Sequence, residues 1–497
     1  MDVEVSMATV CLVVIATTLC TYQFLMKRNH RYPSGPFSLP MAGNLLQLIQ
    51  AGGSAAKFME TCREKFGDVF TLETGGSKRV VVSGYETMQE LLVRNAEHTS
   101  NRSTRSMSRS LQEYVREGTP GLLWASHPQW KILRSFAISK LKEKGMGQAA
   151  MEPQILEEVG EYINHFIQPH INQPVDVALS LAQAACNTIS QMLLGKRFDY
   201  NDQLHSEMVA ALHDASQFTL QTAMIGNLPF GKHLNKWLSK RENSARKTTL
   251  WPTLQMYIDE QKETLDDANP QNIIDRFLTH AISAKEDEKK CFSEANAKVF
   301  AYHIYMAGTE ATATSLRWAL LYSCLYPEVK EKVQLEIEKQ IGPDRVVTCR
   351  DRLSMPYTDA VLYETLRKAN IASFALPHTL EKDLVVKGVL IPSGADLMLN
   401  MASVLHDEQV YEDPHKFKPE RYLTGNIAVK KQHTIPFGLG RRACLGKSLA
   451  KMEMFLFYVT LLQKYDICLA EGEEVTDIPV ESLASEPMPF KLIFTPR

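Results

Sequence analysis

The chain has 497 residues, of which 44% are apolar and 23% are charged, as is typical of a folded globular protein. Its net charge of -2 argues against a globally basic nucleic-acid-binding protein, so no nucleic-acid partner is expected. The nine cysteines are scattered without a CxxC pair or zinc-ligand spacing, which argues against a disulfide framework and indicates a reducing compartment.

The N-terminal segment predicts a membrane anchor within residues 1–26. Residues 7–26 carry no charge, and a helix of this length would span about 30 Å, the thickness of a bilayer core. The basic residues Lys27, Arg28 and Arg31 follow at once, which places the C-terminal body in the cytoplasm. A cleaved signal peptide is the alternative, but its n-region should be basic and here it is acidic.

Residues 27–40 predict a basic, proline-rich hinge, because three prolines and a glycine cannot continue a helix. In the body, residues 41–497, apolar side chains recur every three or four positions over residues 154–200 and 204–264, which predicts amphipathic helices. Strand-like runs are short, the best being residues 79–83 and 384–391. We therefore expect one large domain, mainly α with small β-sheets, behind a transmembrane helix.

The segment FGLGRRACLG, residues 437–446, surrounds Cys444. Its three glycines permit tight, positive-φ turns and a close approach of backbone to a flat ligand. Arg441 and Arg442 place positive charge nearby, which should lower the pKa of the thiol. Helical periodicity begins after Gly446, so Cys444 should precede a helix N-terminus, whose dipole favours a thiolate. An inert buried cysteine beside a basic loop is the alternative.

The spacing F-x-x-G-x-R-x-C-x-G is met at every fixed position, by Phe437, Gly440, Arg442, Cys444 and Gly446. On this spacing the segment resembles the haem-binding loop of the cytochrome P450 family. The resemblance implies that Cys444 is the axial thiolate ligand of the iron of haem b. It further implies that Arg442 pairs with a haem propionate and that Phe437 belongs to the haem-binding residues.

Other motifs of the family occur in its chain order. Trp130 and Arg134 resemble the W-x-x-x-R helix, and their spacing of four lets both reach one propionate. Arg102 and His378 fall where related proteins place further propionate contacts, although each alone could be an ordinary surface or core residue. The resemblance also implies a buried structural ion network formed by Glu364, Arg367 and Arg421.

Residues 301–321 resemble the long helix that crosses the distal haem face. The pattern (A/G)-G-x-(D/E)-T is matched up to Glu310, which is the expected proton-relay acid, but Ala311 stands where the threonine is usual. Thr312 lies about 100° further round the helix. Three interpretations remain: a substrate hydroxyl or water supplies the proton, Thr309 or Thr312 serves after a local helix distortion, or the enzyme does not cleave dioxygen.

The details most resemble the animal microsomal group that contains xenobiotic- and steroid-hydroxylating members. The resemblance implies a single-pass monooxygenase of the endoplasmic reticulum membrane, which inserts one oxygen atom of O₂ into a lipophilic small molecule. Its expected partners are membrane lipid, NADPH–cytochrome P450 reductase and cytochrome b5. Two alternatives are a haem-thiolate isomerase or dehydratase that acts on peroxides without a reductase, and a non-catalytic haem-binding protein.

Two surfaces are expected by analogy with this fold. An acidic reductase would dock on a lysine-rich electron-entry face, formed by Lys131, Lys140, Lys142, Lys144 and Lys447. The substrate pocket would be lined by residues 102–119, 218–224, 301–306, 371–376 and 482–484.

Overall fold

A computed structural model describes residues 13–14, 16–18, 21, 31–39, 42–74, 77–103, 120–217 and 249–497. The predicted anchor lies mostly outside these ranges, and its six described residues are helical. Among the described residues, no helix is both long enough and apolar enough to cross a membrane. Most of the predicted pocket segment 102–119 and all of segment 218–224 also lie outside them.

The described chain is mainly helical, as predicted. Its α-helices are α1 (Leu45–Gln50), α2 (Ala55–Phe66), α3 (Tyr85–Gln89), α4 (Ala96–Thr99), α5 (Gly121–Trp124), α6 (Gln129–Glu143), α7 (Glu152–Tyr162), α8 (Ala178–Leu194), α9 (Gln203–Ser216), α10 (Trp251–Glu263), α11 (Ile273–Ser283), α12 (Glu294–Leu325), α13 (Pro327–Gln340), α14 (Pro356–Ala369), α15 (Ala402–Leu405), α16 (Ile427–His433) and α17 (Lys447–Lys464). Short π-helices span Glu90–Arg94 and Ile163–Ile167, and 3₁₀ turns span Ala149–Met151, Gln168–His170, Asp351–Ser354, Pro419–Tyr422 and Gly440–Arg442.

The strands are β1 (Val69–Thr74), β2 (Ser77–Val82), β3 (Asn101–Arg102), β4 (His378–Thr379), β5 (Leu384–Val386), β6 (Val389–Ile391), β7 (Asp396–Leu399), β8 (Tyr465–Leu469) and β9 (Leu492–Pro496). A five-stranded sheet has the order β1-β2-β7-β4-β3, and β5-β6 and β8-β9 form separate pairs. The predicted strand 79–83 is β2, which pairs antiparallel with β1 and parallel with β7. The predicted run 384–391 is not one strand but a hairpin, because the left-handed φ values of Lys387 and Gly388 reverse the chain.

The central helix α12 organises the core. It is 32 residues long, and the Ser293 hydroxyl caps its N-terminus by accepting the Asn296 N–H. Helix α8 packs closely along it, because Gly308 presents no side chain at the crossing. A Cβ at Gly308 would lie 2.5 Å from Ile189 Cδ1, so a larger residue would displace the Ile189 side chain at the crossing.

The predicted ion network is confirmed behind this core. Arg367 donates Nε to Glu364 Oε2 and a terminal nitrogen to Oε1, both at 2.8 Å, and Arg421 Nε donates to Oε1 at 3.0 Å. All three side chains are buried, and the remaining guanidinium hydrogens meet main-chain carbonyls such as that of Leu405. The network ties α14 to the 3₁₀ turn Pro419–Tyr422 and thereby fixes the segment that leads into the cysteine loop.

Candidate active site

The cysteine loop holds Cys444 just before the N-terminus of α17, as predicted. The Cys444 amide donates to the Phe437 carbonyl at 2.8 Å, which closes the loop. Gly440 has a φ of 73°, and a Cβ there would lie 2.0 Å from the Leu92 carbonyl oxygen, so only glycine fits. The positive φ expected for Gly446 is wrong, because its φ is -85°; the space beside its Cα is open.

The Cys444 thiol faces open space, although surrounding protein raises its pKa by desolvation. The main-chain N–H groups of Gly446 and Lys447 and the charge of Arg134 oppose that shift. The largest cationic contributions thus come from Arg134 and Lys447 rather than from the two arginines within the loop, and the predicted net lowering of the pKa is wrong. Coordination to a metal would supply the missing stabilisation of the thiolate.

Three predicted propionate-binding arginines form a cluster beside the loop. Arg442 Nε donates to the Ser100 carbonyl at 2.7 Å, Arg134 donates to the Ala443 carbonyl at 2.6 Å, and Arg102 donates to the Leu376 carbonyl at 2.5 Å. Each of these bonds ends on a neutral main-chain oxygen. None of the three guanidinium groups forms an ion pair with a carboxylate of the described ranges.

Within the described ranges, the charges of this arginine cluster are therefore uncompensated. Burial and mutual repulsion lower the pKa of Arg102 to about 9 and that of Arg442 to about 8. Burial, with the same two arginines, also lowers the pKa of His378, whose Nδ1 donates to the Thr99 carbonyl at 2.6 Å. An anionic ligand would remove this repulsion.

The residues fit an iron porphyrin. The cysteine offers a soft ligand in an open position, and a doubly anionic edge would compensate the arginine cluster. Arg102 Nε is buried and has no hydrogen-bond partner among the described residues, so it is available to donate to an oxygen of that anionic edge. The Trp130 ring holds Arg442, whose guanidinium carbon lies 4.2 Å from the ring centroid. Phe437 is partly buried against the main core beside the loop.

The distal helix α12 presents an open face at Ala307 and Ala311, which are exposed within an otherwise buried stretch and lie one turn apart. The two predicted relay threonines do not share that face. Thr309 is buried and its hydroxyl has no hydrogen-bond partner among the described residues, whereas the Thr312 hydroxyl lies 3.5 Å from Glu453 Oε2 of α17. The local distortion that would turn either hydroxyl towards position 311 is absent from α12, which is α-helical throughout.

Glu310, the predicted relay acid, is buried and contacts a residue that the sequence did not single out. His213 Nδ1 lies 3.1 Å from Glu310 Oε2, whereas Glu310 Oε1 has no partner among the described residues. The contact joins positions 97 apart in sequence, so no local spacing could have indicated it. Glu453 was also missed, although it lies only nine positions after Cys444.

Two of the predicted pocket segments, 371–376 and 482–484, come together beside α12. The Ser485 amide donates to the Ile371 carbonyl at 2.8 Å, and Trp318 Nε1 donates to the Ser485 carbonyl at 3.1 Å. These bonds hold residues 371–376 and 482–484 against the central helix. Ala372 is exposed within segment 371–376, and Met306 of the predicted segment 301–306 is partly exposed.

Comparison with known proteins agrees with this geometry. The family described as Cytochrome P450 matches residues 33–494. Similar proteins include cytochrome P450 2C23 of Rattus norvegicus (33% identical, covering 98% of this chain and 99% of its own), cytochrome P450 2D1 of Rattus norvegicus (34%, 90% and 90%) and cytochrome P450 2B9 of Mus musculus (33%, 95% and 96%). The chain belongs to the cytochrome P450 family.

Proposed function

We propose that the chain works at the endoplasmic reticulum membrane, where it inserts one oxygen atom of O₂ into a steroid, fatty acid or foreign compound. Family membership makes it a haem b monooxygenase that acts on lipophilic substrates with electrons from an NADPH-dependent reductase. One observation carries the site assignment: the exposed Cys444 lies beside a cluster of partly buried arginines that have no carboxylate partner among the described residues.

In this proposal the haem would be held by its iron and by its propionates. Cys444 binds the iron, and Arg102, Arg134 and Arg442 bind the propionates with help from Trp130. His378 and Phe437 complete the haem-binding residues. The bound haem supplies the oxygen chemistry, while the protein positions the substrate and tunes the iron.

Proton supply at the distal face rests on Glu310. Because Ala311 carries no hydroxyl, a substrate hydroxyl or an ordered water supplies the proton-relay group that a threonine would provide at this position. Ala311 also favours a second candidate function, the isomerisation or dehydration of a peroxide, which needs no external electrons. Thr309 and Thr312 would then be structural, since both are buried and the Thr312 hydroxyl contacts Glu453.

Reconstitution with a reductase separates these functions. The haem-loaded full chain, a reductase and NADPH would be incubated with a panel of steroids, fatty acids and foreign compounds that first give a binding spectrum. NADPH-dependent product supports the monooxygenase. Product from an organic hydroperoxide without reductase, and none with NADPH, would establish the peroxide function, whereas no consumption under either condition would indicate a haem carrier.

The reductase would dock where cations surround the cysteine loop. Lys131, Lys142, Arg441 and Lys447 are exposed, and cytochrome b5 would use the same face. Residues 7–26 would anchor the chain in lipid with its body in the cytoplasm, supported by their lack of charge and by the basic residues that follow. Extraction of membranes with alkaline carbonate tests the anchor, since an integral protein stays with the lipid.

A further inference from the structure

Glu310 is one end of a polar chain that leads away from the distal face. His213, on α9, contacts Glu310 Oε2 through Nδ1 at 3.1 Å and Gln217 Nε2 through its own Nε2 at 3.2 Å. Gln217 also donates to Glu486 Oε1 at 2.7 Å, and Arg317 donates to Glu486 Oε2 at 2.6 Å.

These neighbours assign the tautomer of His213. The Gln217 amide nitrogen is a donor, so His213 Nε2 accepts and Nδ1 carries the hydrogen that points at Glu310. The side chain of His213 is 37% exposed, whereas that of Glu310 is 6% exposed. The imidazole thus has one nitrogen against a buried acid and lies partly in solvent.

An imidazole in this position can pass protons and return to its starting charge after each one. A proton from solvent that displaces the Gln217 donor at Nε2 gives the imidazolium, whose Nδ1 proton can leave for Glu310 Oε2, which converts the carboxylate to the neutral acid. Rotation of the Glu310 carboxyl group exchanges its two oxygens, and Oε1 has no partner within the described ranges to hold it. The imidazole then carries its hydrogen on Nε2, so the ring turns Nδ1 to solvent, takes the next proton there and turns back towards Glu310, and each cycle takes one proton from solvent and delivers one to Glu310.

We propose that His213 is a positioning residue of the oxygenation reaction, which reloads Glu310 with the protons consumed at the distal face beside Ala311. The inference rests on the proposed monooxygenase function. It accounts for proton supply without a threonine at position 311, because a short route from solvent to the acid exists on the other side of the helix.

The charged groups that face His213 are Glu310 and Arg317 of α12 and Glu486 of the C-terminal segment. The bond to Glu310 raises the pKa of His213 above its ordinary value, and the charge of Glu486 acts in the same direction. The fraction of protonated His213, and with it proton delivery, should therefore fall as the pH rises through the pKa of this histidine.

A purely structural ion pair between α9 and α12 is the rival explanation, and His213→Gln separates the two. Glutamine keeps an N–H donor for Glu310 but cannot pass a proton. His165→Gln is the matched control. His165 is 41% exposed and lies 3.1 Å from Glu161, but this pair is not on α9 or α12. Glu310→Gln should reproduce His213→Gln, and the double variant should be no worse than either single variant.

The readouts are product formed per NADPH across pH 6 to 9, and product formed with hydrogen peroxide as the oxidant. The balance RH + O₂ + NADPH + H⁺ → ROH + H₂O + NADP⁺ needs protons from solvent, whereas RH + H₂O₂ → ROH + H₂O brings its own. We expect His213→Gln to lower product per NADPH about tenfold and to flatten its pH profile, with peroxide-driven turnover within about twofold of wild type.

A third readout does not depend on turnover. In the haem-loaded chain with ¹³C-labelled histidine, the resonance that disappears in His213→Gln should titrate at a lower pH in Glu310→Gln than in wild type. Unchanged product per NADPH in His213→Gln, or an equal loss of peroxide-driven turnover, would overturn the relay alone. A wild-type chain without NADPH-dependent product would overturn the proposed function and the relay with it.

Discussion

The Thr312 hydroxyl lies 3.5 Å from Glu453 Oε2, in a buried contact that joins the central helix α12 to the helix that follows Cys444. Burial raises the pKa of Glu453 to about 8, with only partial relief from Thr188 and Thr312. Glu453 is therefore a neutral acid below that pH, and the contact occupies the hydroxyl that stands next to Ala311 in sequence.

This buried acid predicts a pH dependence of stability. The pKa of Glu453 is higher in the folded chain than its ordinary value of 4.5, so its contribution is fully present below about pH 4.5 and is lost as the pH rises towards 8. The free energy of unfolding of wild type should fall relative to Glu453→Gln by about 1.4 kcal/mol per pH unit in that window. Thermal or denaturant unfolding measures it. The exposed Glu86, changed to Gln, is the control, and a pH-independent difference for Glu453→Gln would contradict the assignment.

The iron ligand has a spectroscopic test. Cys444→Ser should abolish the thiolate-type absorption band of the ferrous–carbonyl complex, because a serine oxygen does not donate charge to iron as a thiolate does. Cys468→Ser is the control, since Cys468 is also exposed but lies on strand β8. Retention of the band in Cys444→Ser would remove this residue as the ligand.

The open distal face has a gain-of-function test. Ala311→Thr places a hydroxyl on the exposed face of α12, where neither Thr309 nor Thr312 reaches. We expect more product per NADPH and less released hydrogen peroxide, by about two- to tenfold. Thr312→Ala should change the amount of product per NADPH little. Equal or poorer coupling in Ala311→Thr would favour a proton supplied by the substrate or by water.

The ion network behind the haem site is expected to be essential for folding. Arg367→Leu leaves the buried carboxylate of Glu364 with one guanidinium partner and should cost about 3–5 kcal/mol in the free energy of unfolding. Lys416→Ala removes an exposed pair with Asp413 at 3.1 Å and should cost less than about 1 kcal/mol. Denaturant titration of the haem-loaded chain compares the two, and similar costs would refute a special role of burial.

The reductase face predicts a salt-dependent defect. Lys131→Glu combined with Lys142→Glu should slow the transfer of the first electron several-fold at low ionic strength, because both side chains are exposed on α6. High salt should narrow the difference from wild type. Lys382→Glu, exposed beside the β5–β6 hairpin, serves as the control, and a defect independent of salt would exclude electrostatic docking at α6.

Short-range patterns in the sequence predicted the parts of the site that depend on one segment. Cys444 precedes a helix as its spacing indicated, and Glu364 and Arg367 meet because they lie three positions apart on one helix. Contacts between helices could not be predicted from such patterns. The Thr312–Glu453 contact joins positions 141 apart, and residue spacing does not tell which turn of one helix faces another.

Electrostatic expectations from the sequence were wrong where burial dominates. Arg442, two positions before Cys444, donates to the Ser100 carbonyl, whereas the charge of Arg134 on α6 acts on the thiol. Neighbours in sequence indicate which charges are available, but desolvation depends on the whole fold. The same limit explains why the arginine cluster emerged as uncompensated charge only in three dimensions.

Main-chain amides, those of Gly446 and Lys447, donate to the Cys444 sulfur. Hydrogen bonds to a thiolate ligand withdraw electron density and so set the reduction potential of its metal. Because these donors belong to the backbone, exchange of nearby side chains leaves them in place. This backbone share of the thiolate environment is thus independent of side-chain identity, whereas the charges of Arg134 and Lys447 are open to substitution.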